Sequence, residues 1–166
     1  FAKHEEIQTI KEKASNSLAL ISLEINDEKD DFGAISKPFD YLGYQISSDK
    51  ISVRESTVER FINSVIAMFT NFRLNFKSRA SNLKNHNSGH FTVEHLKELF
   101  IVNLNEKISG AVTETKRYGW IFYFIEITDI HLLHKIDSII SKQFSRLEMF
   151  DGTPPKTLET MVKSYY

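Results

Sequence analysis

The chain has 166 residues, 41% hydrophobic and 26% charged, with a net charge of −1 and no cysteine. That is the size of one domain or two small subdomains. Lack of cysteine excludes disulfide frameworks, zinc-thiolate centres and thiol nucleophiles.

No apolar run approaches the roughly 20 residues of a membrane span, so no membrane partner is expected. The polar start Phe1-Ala2-Lys3-His4-Glu5-Glu6 is no signal peptide. It has no initiator Met and reads as the edge of a longer, cytoplasmic chain. Ile7, Ile10, Ala14, Leu18 and Ile21 recur at spacings of three and four, which predicts a helix over about residues 5–21. A polar turn, Asn26-Asp27-Glu28-Lys29-Asp30-Asp31, follows the short alternation Leu23-Glu24-Ile25. Phe39, Tyr41, Tyr44 and Ile46, broken by Gly43, and then Ile51-Ser52-Val53 predict a β-hairpin over about 39–53.

From Ser56 the period becomes helical, with Val58, Phe61, Ile62, Val65, Phe69 and Phe72 as a wide apolar stripe. Ser56 and Glu59 have the spacing of a capping box. Residues 78–90, rich in Ser, Asn and His, read as a linker. Thr92 is placed to cap a helix with Val93, Leu96, Phe100 and Leu104 on its face, ending at Ser109-Gly110. The aromatic run over 117–127 reads as a further helix. Asp129 then caps one carrying Leu133, Ile136, Ile140, Phe144 and Leu147, and a last helix is expected over about 156–165. The whole is α+β: a helix and hairpin unit over 1–54, then a helical bundle over 55–166.

Charge is unevenly spread. Residues 1–33 carry eight acidic side chains against four basic, a net −4, whereas 50–86 carry seven basic against two acidic, a net +5. Those bases are Lys50, Arg54, Arg60, Arg73, Lys77, Arg79 and Lys84. A basic stretch of this kind suits a polyanion; a solvated helix face is the other reading. Arg73, Lys77 and Lys84 fall on one face if the helix reaches that far, with Arg54 and Arg60 less well aligned. Such a row can follow a phosphate backbone, positioning it without reading sequence.

Two stretches together resemble the C-terminal part of a bacterial reverse transcriptase of the group II intron or defence-associated type. The first is Leu23-Glu24-Ile25-Asn26-Asp27-Glu28-Lys29 followed by Phe39-Asp40-Tyr41-Leu42-Gly43-Tyr44-Gln45-Ile46, similar to the end of the family's palm. The second is Tyr118-Gly119-Trp120-Ile121-Phe122-Tyr123-Phe124, similar to a thumb motif. The resemblance spans about residues 5–148. It implies that Lys29 is the lysine near the incoming nucleotide's phosphates, a candidate general acid toward pyrophosphate. It implies that Leu42, Gly43 and Tyr44 form the primer grip, where glycine permits close approach to a sugar-phosphate. It implies that the later helices form a thumb around an RNA template with its DNA primer. The family's magnesium-binding aromatic-x-Asp-Asp turn is not in this chain. Asp30-Asp31 does not replace it, because Glu28-Lys29 precedes it and no apolar strand leads in. The Mg2+ site, with the fingers and the rest of the palm, is expected upstream of Phe1.

Each feature also has a plainer reading. Lys29 is equally a solvated turn residue, and Tyr41 and Tyr44 are equally cross-strand packing. Trp120, Tyr123 and Phe124 read as core rather than a stacking platform. His86, His90 and His95 are too sparsely supported for a metal site. Two other functions stay open: a helical protein-interaction module, suggested by 12% aromatic content, and a small metal-independent HEPN-like ribonuclease using Arg79 and His86.

Overall fold

The computed structural model describes residues 4–26, 28, 33–34, 36–85, 92–113 and 116–166. It divides into two units, residues 1–35 and 36–166. In the first, α1 (His4–Ala19) carries Ile7 and Leu18 half-buried, while Ile10, Leu20, Ile21 and Leu23 are exposed.

The second unit begins with a three-stranded antiparallel sheet in the order β1 (Phe39–Tyr41), β2 (Tyr44–Ile46), β3 (Ile51–Val53). Tyr41 pairs with Tyr44 across β1 and β2, which leaves Leu42-Gly43 as a two-residue loop. Both loop residues have positive φ, 47° and 88°. Two such residues give the twist of a type I′ hairpin turn. Ser47 accepts the Lys50 amide at 3.3 Å and closes the second turn.

A long helix follows, α2 (Glu55–Asn85). It starts one residue before the expected cap: the Arg54 carbonyl accepts the Thr57 and Val58 amides, so Ser56 lies inside the first turn. It also runs through most of the segment expected to be a linker. Adding one residue to a formed helix gains one hydrogen bond, and Ser or Asn costs only about 0.5 kcal/mol relative to Ala. Then come α3 (Val93–Ser109), a hairpin of β4 (Ala111–Thr113) and β5 (Lys116–Tyr118), α4 (Trp120–Tyr123), α5 (Ile130–Phe144), a 3-10 turn (Glu148–Phe150) and α6 (Met161–Tyr165). Thr92 and Asp129 cap α3 and α5 as expected, accepting the His95 and Leu132 amides.

The aromatic helix expected over 117–127 is cut short at both ends. Its start is strand β5. Past Phe124 the backbone is claimed by the sheet, with Thr128 and Asp129 donating to the Ile51 carbonyl at 2.9 and 3.2 Å. The last helix is shortened in the same way. Asn105 donates to the Thr157 carbonyl and accepts the Glu159 amide at 2.8 and 2.7 Å, so that backbone bonds to α3 instead of coiling.

The core lies among α2, α3, α4 and α5. Val58, Phe61, Val65 and Phe69 form the buried stripe of α2. Phe69 sits edge-on to Phe100 of α3 and Phe144 of α5, with centroids 5.1 and 5.0 Å away. The chain thus has the α+β character read from its pattern, with sheet and helices joined through Ile51, Ser52 and Asp129.

Candidate nucleic-acid interface

Arg54 leaves β3 with its backbone amide donating to the Gly43 carbonyl at 2.9 Å, which ties the β1–β2 turn to the start of α2. Six residues on, Arg60 donates to the Ser56 carbonyl and the Thr57 hydroxyl at 3.1 and 3.2 Å, so its guanidinium is held along the helix surface. The motif Gly119-Trp120 enters from the other side. A Cβ on Gly119 would lie 2.3 Å from the Gly110 amide nitrogen, so only glycine lets this strand end pack on the terminus of α3. That packing sets Trp120 between Phe61 and Phe124, at centroid distances of 5.0 and 4.8 Å. Phe124 in turn presses on Gly43, where a Cβ would be 3.3 Å from its ring.

These contacts enclose a groove of about 710 Å3. The turn contributes Leu42 and Gly43, α2 contributes Thr57, Arg60, Phe61 and Ser64, and α4 and its end contribute Trp120, Tyr123 and Phe124. Arg54 and Lys107 complete the lining, which includes no acidic residue. Lys107 has no ion-pair partner among the described residues and stands in the last turn of α3, where the helix dipole favours a cation. Arg54 lies 4.0 Å from Asp40 with 43% of its side chain exposed. The Arg54 Nε and Trp120 Nε1 donors are buried without a hydrogen-bond acceptor among the described residues. Buried donors in this state are uncommon. Leu42 is 68% and Tyr123 64% exposed, so the groove also has an apolar rim.

The sequence-derived candidates separate into groups. Leu42, Gly43, Arg54 and Arg60 meet in the groove. Tyr44 does not line it: its hydroxyl donates to the Tyr123 carbonyl at 2.9 Å and its ring stands edge-on to Phe124. Burial raises the Tyr44 phenol above its ordinary value, only partly offset by a hydrogen bond from the Glu126 backbone. Tyr44 therefore braces the turn. Arg73 and Lys77 are exposed on α2 without ion-pair partners among the described residues, but thirteen residues past Arg60 puts Arg73 about 220° around the axis, on another face. Arg79 lies beside a second pocket. The side chain of Lys84, and all of Lys29, Asp30, Asp31, His86 and His90, lie outside the described residues. Lys107 was missed by sequence reading. Its only signal was a cation in a helix's last turn. Among the described residues no three His, Asp or Glu gather as a metal site, so no magnesium chemistry is derived from them. No described helix is long and apolar enough to cross a membrane.

Comparison with family models, with curated proteins and with solved structures finds no match. The functional reading therefore rests on the residues themselves.

Proposed function

We infer that this chain is the template-primer-holding part of an RNA-directed DNA polymerase, a palm end followed by a thumb. One observation carries the reading. The two stretches that resemble the polymerase family lie about 80 residues apart in the chain, yet Leu42-Gly43 from the first and Trp120, Tyr123 and Phe124 from the second line one cationic groove. A composition-driven likeness would give no reason for them to meet.

The chemistry suits a nucleic-acid backbone. Arg54, Arg60 and Lys107 offer positive charge for phosphates, and the unbonded Trp120 donor suits an acceptor-rich ligand. The Leu42-Gly43 turn lines the groove, and its exposed Leu42 tip is a surface against which a primer's terminal sugar can rest. The exposed Tyr123 ring offers a face to a base. Nucleotidyl transfer itself is assigned to an Asp-Asp turn elsewhere in the polymerase, with its metal ions.

The test is the affinity of the chain for an RNA–DNA hybrid across salt concentrations. Three phosphate contacts give a log–log slope of roughly −2 to −3. No binding, or binding flat with salt, contradicts the reading.

A further inference from the structure

We propose that the second pocket, between α2 and α3, is a subsite for one unpaired adenine nucleotide of a nucleic-acid strand. The proposal rests on the nucleic-acid reading for its class of ligand only; the pocket shares no lining residue with the groove.

The pocket holds about 300 Å3. That is the lower end of the range for small-molecule sites, about 300–1,000 Å3, and suits one nucleotide rather than a helix of a partner. Its floor is aromatic: Phe72 stacks on Phe100 at 4.2 Å with 19° between the planes, and Phe76 stands 5.3 Å from Phe72. Leu96 and Leu99 of α3 widen the apolar surface on which a flat ring can lie.

The polar lining is selective in kind. Asn71 and Asn75 come from successive turns of α2 and Asn103 from α3. The Asn75 amide is occupied by the Asn71 carbonyl at 2.9 Å, whereas the side chains of Asn71 and Asn103 have no hydrogen-bond partner among the described residues. A free carboxamide pairs one donor and one acceptor in a plane. The adenine edge that offers N6–H and N7 is its complement. Arg79 follows Asn75 by four residues on the same helix face, is exposed, and is the one charged residue lining the pocket. It has no ion pair among the described residues. A guanidinium there matches the phosphate attached to a base seated on the rings. An apolar peptide anchor would use the floor but leave both amides and Arg79 unmatched, and for this reason the nucleotide is preferred.

The experiment uses the full 166-residue chain with a short single-stranded oligoadenylate carrying 8-vinyladenine, a fluorescent base that keeps N6–H and N7, against oligocytidylate and an abasic strand of equal length. The RNA–DNA hybrid is titrated in parallel. The expected result is fluorescence quenching on binding and a preference for adenine over the abasic strand of about tenfold or more. Asn103→Leu should lower the preference for adenine over the abasic strand, and Arg79→Gln should weaken every strand without changing that preference. Both variants should keep their hybrid affinity, which shows that they fold. Equal affinity for adenine and abasic strands in the wild-type chain overturns the proposal, whatever the variants do. So does quenching that survives Asn103→Leu and Arg79→Gln together. If N-acetylphenylalanine amide displaces the probe while adenosine monophosphate does not, the pocket is a peptide site and the proposal is wrong. Failure of hybrid binding with adenine selectivity intact contradicts the groove reading and leaves this one standing.

Discussion

Leu42 holds φ at 47° at the tip of a hairpin, with most of its side chain in solvent. A left-handed backbone costs a residue with a Cβ roughly 1–2 kcal/mol, and burial of the leucine returns little of it. Strain of this kind gathers at binding sites. Leu42→Gly should therefore raise stability by about 1 kcal/mol and lower hybrid affinity, read by urea melts and titration. Stabilisation without loss of binding would separate Leu42 from function. Gly119 is the opposite case, a residue whose job is contact and not φ. Gly119→Ala places a methyl against the Ser109-Gly110 backbone and should cost about 1–3 kcal/mol. The measurement is a lower denaturation midpoint at unchanged slope; an unaltered midpoint would refute the close packing.

Asp129 gives a prediction in pH. Burial pushes its carboxyl up, but hydrogen bonds from Ser52, Lys50 and the Leu132 amide outweigh burial and hold it below its ordinary 3.8. Its contribution is therefore complete above that value and is lost as pH falls through the lowered folded value. Asp129→Asn keeps a capping side chain and removes the charge. It should cost about 1 kcal/mol near neutral pH, a figure discounted because Lys50 is half in solvent. The variant's deficit should vanish in acid. Asp137 has the other sign. Burial raises its carboxyl against the amides of Met161 and Val162, so its share is lost as pH rises through the raised value. A deficit in Asp129→Asn that persists below the folded value would mean that the charge is not what stabilises α5.

At the scale of elements, what the sequence shows is what depends on near neighbours. Alternation was enough for strands within 39–53 and the turn at Ser47–Lys50, Thr92 and Asp129 for two caps, and the spacing of Val58, Phe61, Val65 and Phe69 for α2; Gly43, expected to break one strand, is instead the turn between two, so the hairpin is a three-stranded sheet. Illegible elements were those whose backbone hydrogen bonds go to distant residues. Trp120, Phe124 and Ile127 have helical spacing, yet the amides beyond them bond to Ile51, far away in the chain. Residues 157–159 were expected to be helical, and Asn105 takes their backbone instead. The groove was half legible. Leu42, Gly43, Arg54 and Arg60 were visible as candidates. That Arg54 and Arg60 line one groove, and Arg73 and Lys77 lie elsewhere, follows from where β3 meets α2 and from the turn of that helix. Lys107 joins through the packing of Gly119 on Gly110, which no local pattern announces.

Across the whole molecule, every buried hydrophobic among the described residues lies between Val53 and Met161. Residues 36–166 should therefore fold without the first 35, with one cooperative thermal transition; a broad, probe-dependent melt would contradict this. We propose that the groove, and not the basic stretch at large, holds a template-primer. This is tested most directly by titrating an RNA–DNA hybrid over a salt series against the wild-type chain and two double variants of equal charge change, Arg54→Gln with Arg60→Gln and Arg73→Gln with Lys77→Gln. The first pair should lower affinity and flatten the salt slope by about 2, while the second should leave the slope near its wild-type value. Equal effects from both pairs, or a slope that neither changes, would contradict it.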